Sequence, residues 1–545
     1  MHGLSSEIAT RFSCVASTLT LASSLSVGSH PNETLTHNFR FTPPLTSHDA
    51  LAEAQGALYF RDQSKEELID TYMNGPRTLS TERMSYLVVS SPSFSPTSTI
   101  LTPQAGGTQQ EQEADKSYQT YHLFMVAPHF TGDGTSLHQA THDLLALLAS
   151  PSSEDEIIAE LDLADWAARL PASWESRCTQ YDNSHDADPN TNTTSNTNTN
   201  TGADDDKDKG VPRGRFVRVA ARVHAVCAKA REVGGHAFAR LPTPASSSSK
   251  PTQTHRTILL ERVYTPSETR AVLAHCRAHG VTVNHALEAA IPTNSRMIND
   301  RMLYTAINLR PHLAPVPPRF VNEKRREETY WFLALTYFTL VLPAFPPPLV
   351  GSSSPSLSTN TNTNTPKTTF WLRAQSAKQQ TRRTVQSPLL VHRALEMAEE
   401  REARARGVPR RDIGIAELMR PMPAGTENPS VADAGPTPKP PPSTALLGLS
   451  LIGNLDATYV RSAYPAFELE SVTTASRQKR AGALLLVHTF AGRLWVQFFF
   501  DEWGFVRRRK GGGGDGEDGD GQKEDTDVEV FWDEVGRAVT EFLID

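Results

Sequence analysis

The apolar positions of this chain come in short runs whose spacing changes from one segment to the next. "YHLFMVAPHF" (121–130) predicts a strand, and residues 135–149 repeat Leu137, Leu144, Leu145 and Leu148 on one helical face. "RTILLERVY" (256–264) predicts another strand. It is followed by "TPSETRAVLAHCRAHG", with Thr265 as N-cap, Pro266 at the first helical position, Glu268 three residues after the cap and Gly280 at the close. "VTVNHALEAAI" predicts a further helix and "LLGLSLIGNL" a strand, while "ALLLVHTF" and "RLWVQFFF" meet at Ala491-Gly492 as a hairpin. "VEVFWDEVGRAVTEFL" ends the sequence as an amphipathic helix, with Val528, Phe531, Trp532, Val535, Val539 and Phe542 on one side. Near the start, "CVASTLTLASSLSV" reads as a first strand. Strands and helices mixed without strict alternation predict an α/β chain of α+β type, with mixed sheets and helices packed on them.

Between these runs lie segments that are not expected to pack: 182–210, 351–367, 421–443 and 510–527, with 94–117 and 243–254 similar in character. They are low-complexity, polar or Pro/Gly-rich, and their Asn-Thr tracts are compositional expansions with no domain-like period. Without them roughly 400–430 residues remain, still above the usual single-core limit. Two lobes are therefore expected, about 1–245 and 255–545, with insertions near 182–213, 350–368, 421–444 and 509–527.

Composition narrows the function. The 545 residues are 38% hydrophobic with a net charge of −7, and the mean hydropathy is −0.41. That charge does not suit a nucleic-acid surface, and the basic runs "NEKRREE" and "REARARGVPRR" read as solvated helix faces, with a phosphate-binding role the alternative. Cys14, Cys178, Cys227 and Cys276 are widely spaced, with no CxxC, which fits reduced thiols. The most apolar run, "WFLALTYFTLVLP", is about 13 residues long, short of the roughly 20 that span a bilayer. The N-terminus is too rich in Ser and Thr for a secretory signal. A soluble, cytoplasmic monomer is expected.

The chemistry concentrates at "APHFTGDGTSLHQATHDLLALL" (127–148). A strand delivers His129 to an edge, and Gly132-Asp133-Gly134 turns the chain into a helix. Neutral histidine is well matched to taking a proton from a hydroxyl near pH 7. Asp133 is placed to hold the local geometry, and Gly134 keeps bulk away from a ligand. On residues alone, a satisfied histidine at a strand end stays open. A second pair, His138 and His142, has the i, i+4 spacing of a zinc pair, but Gln139 stands where a zincin carries Glu. "GLSLIG" lacks the glycine two residues after the serine that a nucleophile elbow needs.

Strand, H-x-x-x-D-G and amphipathic helix in that order resemble the active-site segment of the chloramphenicol-acetyltransferase-like superfamily. That superfamily includes the BAHD acyltransferases, the condensation domains of peptide synthetases and fungal O-acetyltransferases of the trichothecene type. "CRAHGVTVNHALEAAI" is similar to the helix pair opening its second lobe, "TAINLRPHLAP" to the strand with an N-L-R-P signature, and "LSLIGNLDA" to its S-x-x-G strand. The resemblance spans roughly residues 35–545 outside the insertions. Pro128 replaces the first histidine of the double-histidine form. The BAHD D-F-G-W-G box has no clean equivalent, and "DEWGF" (501–505) is not equated with it. The fungal O-acyltransferases are thus the nearer match.

The resemblance implies a two-lobe acyltransferase with a channel between the lobes. An acyl group, acetyl in the first instance, passes directly from acyl-CoA to a hydroxyl of a small-molecule acceptor, in fungal-type secondary metabolism. Acyl-CoA is a co-substrate, and no bound cofactor or metal is implied. His129 is then the general base, Asp133 pairs with Arg310, and Ser450 is a candidate to steady the oxyanion. Two alternatives stay open: a non-catalytic binding or scaffold protein that kept the fold, and an amide-forming condensation enzyme.

Overall fold

The computed structural model describes residues 46–80, 83–91, 120–151, 177–178, 213–231, 238, 240–241, 256–291, 301–313, 333–343, 365–405, 447–508 and 525–545. The first strand expected near residue 14 lies outside these, as do nearly all of the polar segments. Two elements begin inside the segments expected not to pack: a helix at Thr365 and a short strand at Asp525. Contacts gather the chain into two compact units. One is Met1–Pro171 with Pro317–Leu333 and Leu455–Arg477; the other is Ala172–Val316 with Ala334–Asn454 and Gln478–Asp545. The sequence suggests a single boundary near residue 250, whereas the contacts follow a discontinuous one.

The first unit runs α1 (Ser47–Gly56), β1 (Leu58–Arg61), α2 (Lys65–Asn74), β2 (Tyr86–Ser90), β3 (His122–Val126) and α3 (Gly134–Leu148). β1 pairs parallel with β2, and β2 antiparallel with β3. β2 is buried at every position. Its side chains alternate between the faces of the sheet, so Leu87 and Val89 meet Ala54, Ala140 and Leu144, while Tyr86 and Val88 meet Leu68 and Val126. Both faces are covered, which is why "YLVVS" shows no polar alternation.

The second unit contains α4 (Arg213–Arg231), β4 (Thr257–Val263), α5 (Pro266–Ala278), α6 (Val283–Ala290), β5 (Arg301–Asn308), β6 (Leu335–Leu342), α7 (Thr365–Val385), α8 (Leu390–Ala405) and β7 (Gly448–Asn454). After a passage through the first unit come β8 (Ala483–Phe490), β9 (Arg493–Asp501), β10 (Arg507–Arg508), β11 (Asp525–Thr526) and α9 (Asp527–Val539). Six strands form one mixed sheet in the order β4-β9-β8-β7-β5-β6. The most apolar run of the sequence becomes β6, whose positions alternate between half-buried and buried. Among the described residues no helix is long and apolar enough to cross a membrane.

The expected start of α5 is present in full: Thr265 and Glu268 form a reciprocal capping box with Pro266 inside it. Gly280 follows at φ +62, in the left-handed region that glycine enters without strain. In α9, Val528, Phe531, Trp532, Val535 and Val539 are buried, as the spacing requires, and Phe531 packs on Phe498 with ring centroids 5.4 Å apart. Cys178 and Cys276 are buried and Cys227 is half-buried.

The carboxylate of α6 does not face water. Glu288 is 2% exposed, and among the described residues its Oε2 meets no hydrogen-bond partner. Burial raises its carboxyl to about 8. A folded value above the unfolded one means that the stability tied to this proton is fully present below the ordinary glutamate range. It is lost as pH rises towards 8. Glu288→Gln should therefore flatten the pH profile of stability. Relative to the native chain it should gain about 3 kcal/mol between pH 4.5 and pH 7 in denaturant titrations. An unchanged profile would mean that Glu288 titrates normally.

Candidate active site

Pairing of β3 ends at Val126, and Pro128, which has no N–H to donate, follows two residues later. The chain then reverses through Pro128–Thr131. The Thr131 amide donates to the Pro128 carbonyl at 3.0 Å and the Thr131 hydroxyl donates to the same oxygen at 2.7 Å. His129 and Phe130 occupy the two central positions, and both are exposed. Phe130, at 55% exposure, is a large apolar side chain left in solvent at the tip of a pinned turn.

The far side of the turn is fastened by Asp133. It is fully buried, has extended backbone geometry and caps α3: its Oδ1 accepts from the Ser136 amide at 3.1 Å and the Ser136 hydroxyl at 3.3 Å. Asp at the N-cap satisfies one of the helix's orphan amides and suits the positive end of its dipole. The resemblance assigns Asp133 to Arg310, so this capping role is an addition from the structure. It was readable in "D-G-T-S", an N-cap residue three positions before serine. Gly134 is the first residue of the helix.

His129, Asp133 and Gly134 thus share one turn of the first unit. Arg310 and Ser450 belong to the second unit. Arg310 follows β5 as the first residue of a short 3-10 turn, where its amide and its Nη1 donate to Asn308 Oδ1 at 3.0 and 3.3 Å. Ser450 is half-buried in β7, just before the strand's irregularity between Leu451 and Gly453.

The histidine pair on α3 is committed elsewhere. His138 is buried, with Nδ1 2.9 Å from the Tyr459 hydroxyl and Nε2 3.2 Å from the Thr474 hydroxyl. His142 Nδ1 is hydrogen-bonded to the Tyr464 hydroxyl. Burial pushes both phenols above their ordinary range, so they stay protonated. Their rings also meet the histidines edge-on. Tyr459, Tyr464 and Thr474 all come from Leu455–Arg477, the late segment that packs into the first unit. Both nitrogens of His138 are occupied, which removes the zinc reading of this pair.

"DEWGF" is also more than a strand end. Asp501 is fully buried; it accepts from the Arg256 amide at 3.0 Å on Oδ1 and from the Ala481 amide at 2.8 Å on Oδ2. Gly504 lies so close that an added Cβ would stand 2.4 Å from both Asp501 Oδ2 and the Ala481 nitrogen. The motif is a structural clasp inside the second unit. Its partners lie at two distant points of the sequence, so spacing alone could not find it.

No family model and no curated protein matches the sequence. Among solved structures, the chain is similar to the trichothecene 15-O-acetyltransferase of Fusarium sporotrichioides, at 12% identity over 99% of this chain and 86% of that one, with a TM-score of 0.54. Two further likenesses are to an epimerization domain of tyrocidine synthetase B and to the first condensation domain of the calcium-dependent antibiotic synthetase. The former has 11% identity over 100% and 88% of the two chains with a TM-score of 0.45; the latter has 12%, 100%, 88% and 0.43. At such identities the likeness is one of fold: a mixed α/β arrangement similar to that of the acetyltransferase structure.

Proposed function

We propose that a chain with this fold works as an O-acyltransferase, moving an acyl group, acetyl in the first instance, from acyl-CoA to a hydroxyl of a small-molecule acceptor. The observation that carries the reading is the turn at His129: an exposed imidazole at its tip, fastened by Thr131 on one side and by buried Asp133 on the other. Such fixing reduces what must be organised when the reactants meet. The imidazole takes the acceptor's O–H proton as its oxygen attacks the thioester carbonyl. The resulting oxyanion is steadied by a donor, for which Ser450 is the candidate. Collapse breaks the C–S bond and expels the thiolate, which takes the proton from the imidazolium. No acyl group is held on the protein.

The reading is tested by following free thiol release from acyl-CoA donors of several chain lengths with a panel of alcohols. Turnover with any pair supports it. Tight small-molecule binding with no turnover from any donor would replace it with the binding-module alternative. The pairing of Asp133 with Arg310 that the resemblance implies belongs to this proposal. It predicts that Asp133→Ala and Arg310→Ala each cost roughly 3–5 kcal/mol, as loss of one member of a buried ion pair does. Their combined effect should fall well short of the sum in a double-mutant cycle. Additive effects would dissolve the pair.

A further inference from the structure

α5 ends in a second i, i+4 histidine pair, His275 and His279, whose nitrogens are committed differently from those of α3. His275 Nδ1 lies 2.9 Å from the Leu543 carbonyl oxygen, and His279 Nδ1 lies 3.0 Å from the His275 carbonyl oxygen. A carbonyl only accepts, so each Nδ1 carries the ring proton and each Nε2 of the neutral ring carries the lone pair. Among the described residues neither Nε2 has a hydrogen-bond partner. Both rings line one cavity of about 460 Å³, bounded by α5, α7 and the C-terminal turn, with Trp371, Phe542 and Asp545 in its wall.

We propose that His275 and His279 bind one borderline divalent metal ion, zinc or copper, through their two Nε2 atoms. Four features support this assignment. Residues i and i+4 lie on one helix face, the spacing at which two imidazoles can share an ion. A metal-ligating histidine usually donates its other ring N–H to a carboxylate or a backbone carbonyl, and both rings already do. The pair stands in the last turn of α5, where the negative end of the helix dipole favours a cation. Trp371 is stacked on the His279 ring at 3.7 Å, with 3° between the planes, which fixes that ring's orientation.

Among the described residues no group of three histidines, cysteines or carboxylates gathers to hold an ion, so the protein supplies two ligands and water fills the open positions. Imidazole nitrogen suits zinc and copper among the divalent ions. Lys367 also lines the cavity, but it is exposed, and water and salt screen its charge. The α3 pair has the same spacing without the same capacity, because Tyr459 and Thr474 occupy both nitrogens of His138.

The full chain, freed of any affinity tag and stripped with chelator, is titrated with Zn²⁺ by calorimetry and with Cu²⁺ by tryptophan fluorescence. One tight equivalent is expected, together with a zinc-dependent rise in thermal midpoint. His275→Ala and His279→Ala should each weaken binding at least about tenfold. Trp371→Phe should keep the equivalent and lose most of the copper quenching. His279 is exposed, so His279→Gln serves as a folded variant even if His275→Ala fails to fold. Wild-type protein without a tight equivalent, or His279→Gln binding as tightly as wild type, would overturn the proposal. Neither readout involves acyl transfer.

Discussion

His129→Ala should lower acyl transfer by about 10²–10⁴-fold, the range a positioned general base contributes, while leaving the fold as stable as before. The two halves of this expectation have different origins. The rate falls because an acceptor hydroxyl is a weak nucleophile near neutral pH until its proton is accepted. The stability holds because His129 is exposed at a turn held by other groups, the Thr131 amide and hydroxyl on the Pro128 carbonyl. Exposed substitutions of this kind usually shift stability by no more than about 0.5 kcal/mol. The measurement is kcat and KM beside a thermal melt of the same preparation. A variant that transfers acyl groups at the wild-type rate would remove His129 from the mechanism, and one that melts early would assign it a structural role.

Asp501→Ala is expected to behave in the opposite way. Two backbone amides, those of Arg256 and Ala481, end on its carboxylate in a fully buried position. Removing the carboxylate strands both donors, at about 1–3 kcal/mol each. A loss of roughly 3–5 kcal/mol is a large share of the 5–15 kcal/mol that holds an ordinary domain together. Denaturant titration should show it as a lower midpoint with an unchanged slope. Asp501→Asn keeps one acceptor and should lose about half as much. A variant within 1 kcal/mol of wild type would show that water replaces the carboxylate.

What the sequence made legible was local. Thr265, Pro266, Glu268 and Gly280 announced both ends of α5, because each acts on backbone groups within four residues of itself. Ala491 and Gly492, at φ 52 and 70, form the two-residue connection of β8 to β9; their positive φ is what a tight hairpin with twisted strands demands. His129 stands out in the sequence because strand, turn and helix follow one another in 20 residues. The rest depends on partners far away. His138 and His142 have the spacing of a metal pair, but what they do is set by Tyr459 and Tyr464, more than 320 residues later, each of which holds one of their nitrogens. Asp501 was passed over because its partners stand at 256 and 481. Glu288 was not singled out because α6 is buried from His285 through Ala290, so charge no longer marks the solvent side.

The contribution of Leu455–Arg477 to the first unit also sets an order of events during synthesis. A ribosome that has released α3 has made a helix whose histidines, buried His138 and half-buried His142, lack their hydroxyl partners until Tyr459, Tyr464 and Thr474 emerge. At about 5–20 residues per second, that interval lasts on the order of a minute or less. Throughout it the nascent N-terminal part carries unsatisfied polar groups and uncovered apolar surface, the condition that recruits chaperones. The helix that follows the His129 turn is therefore made early, and its histidines are partnered only late.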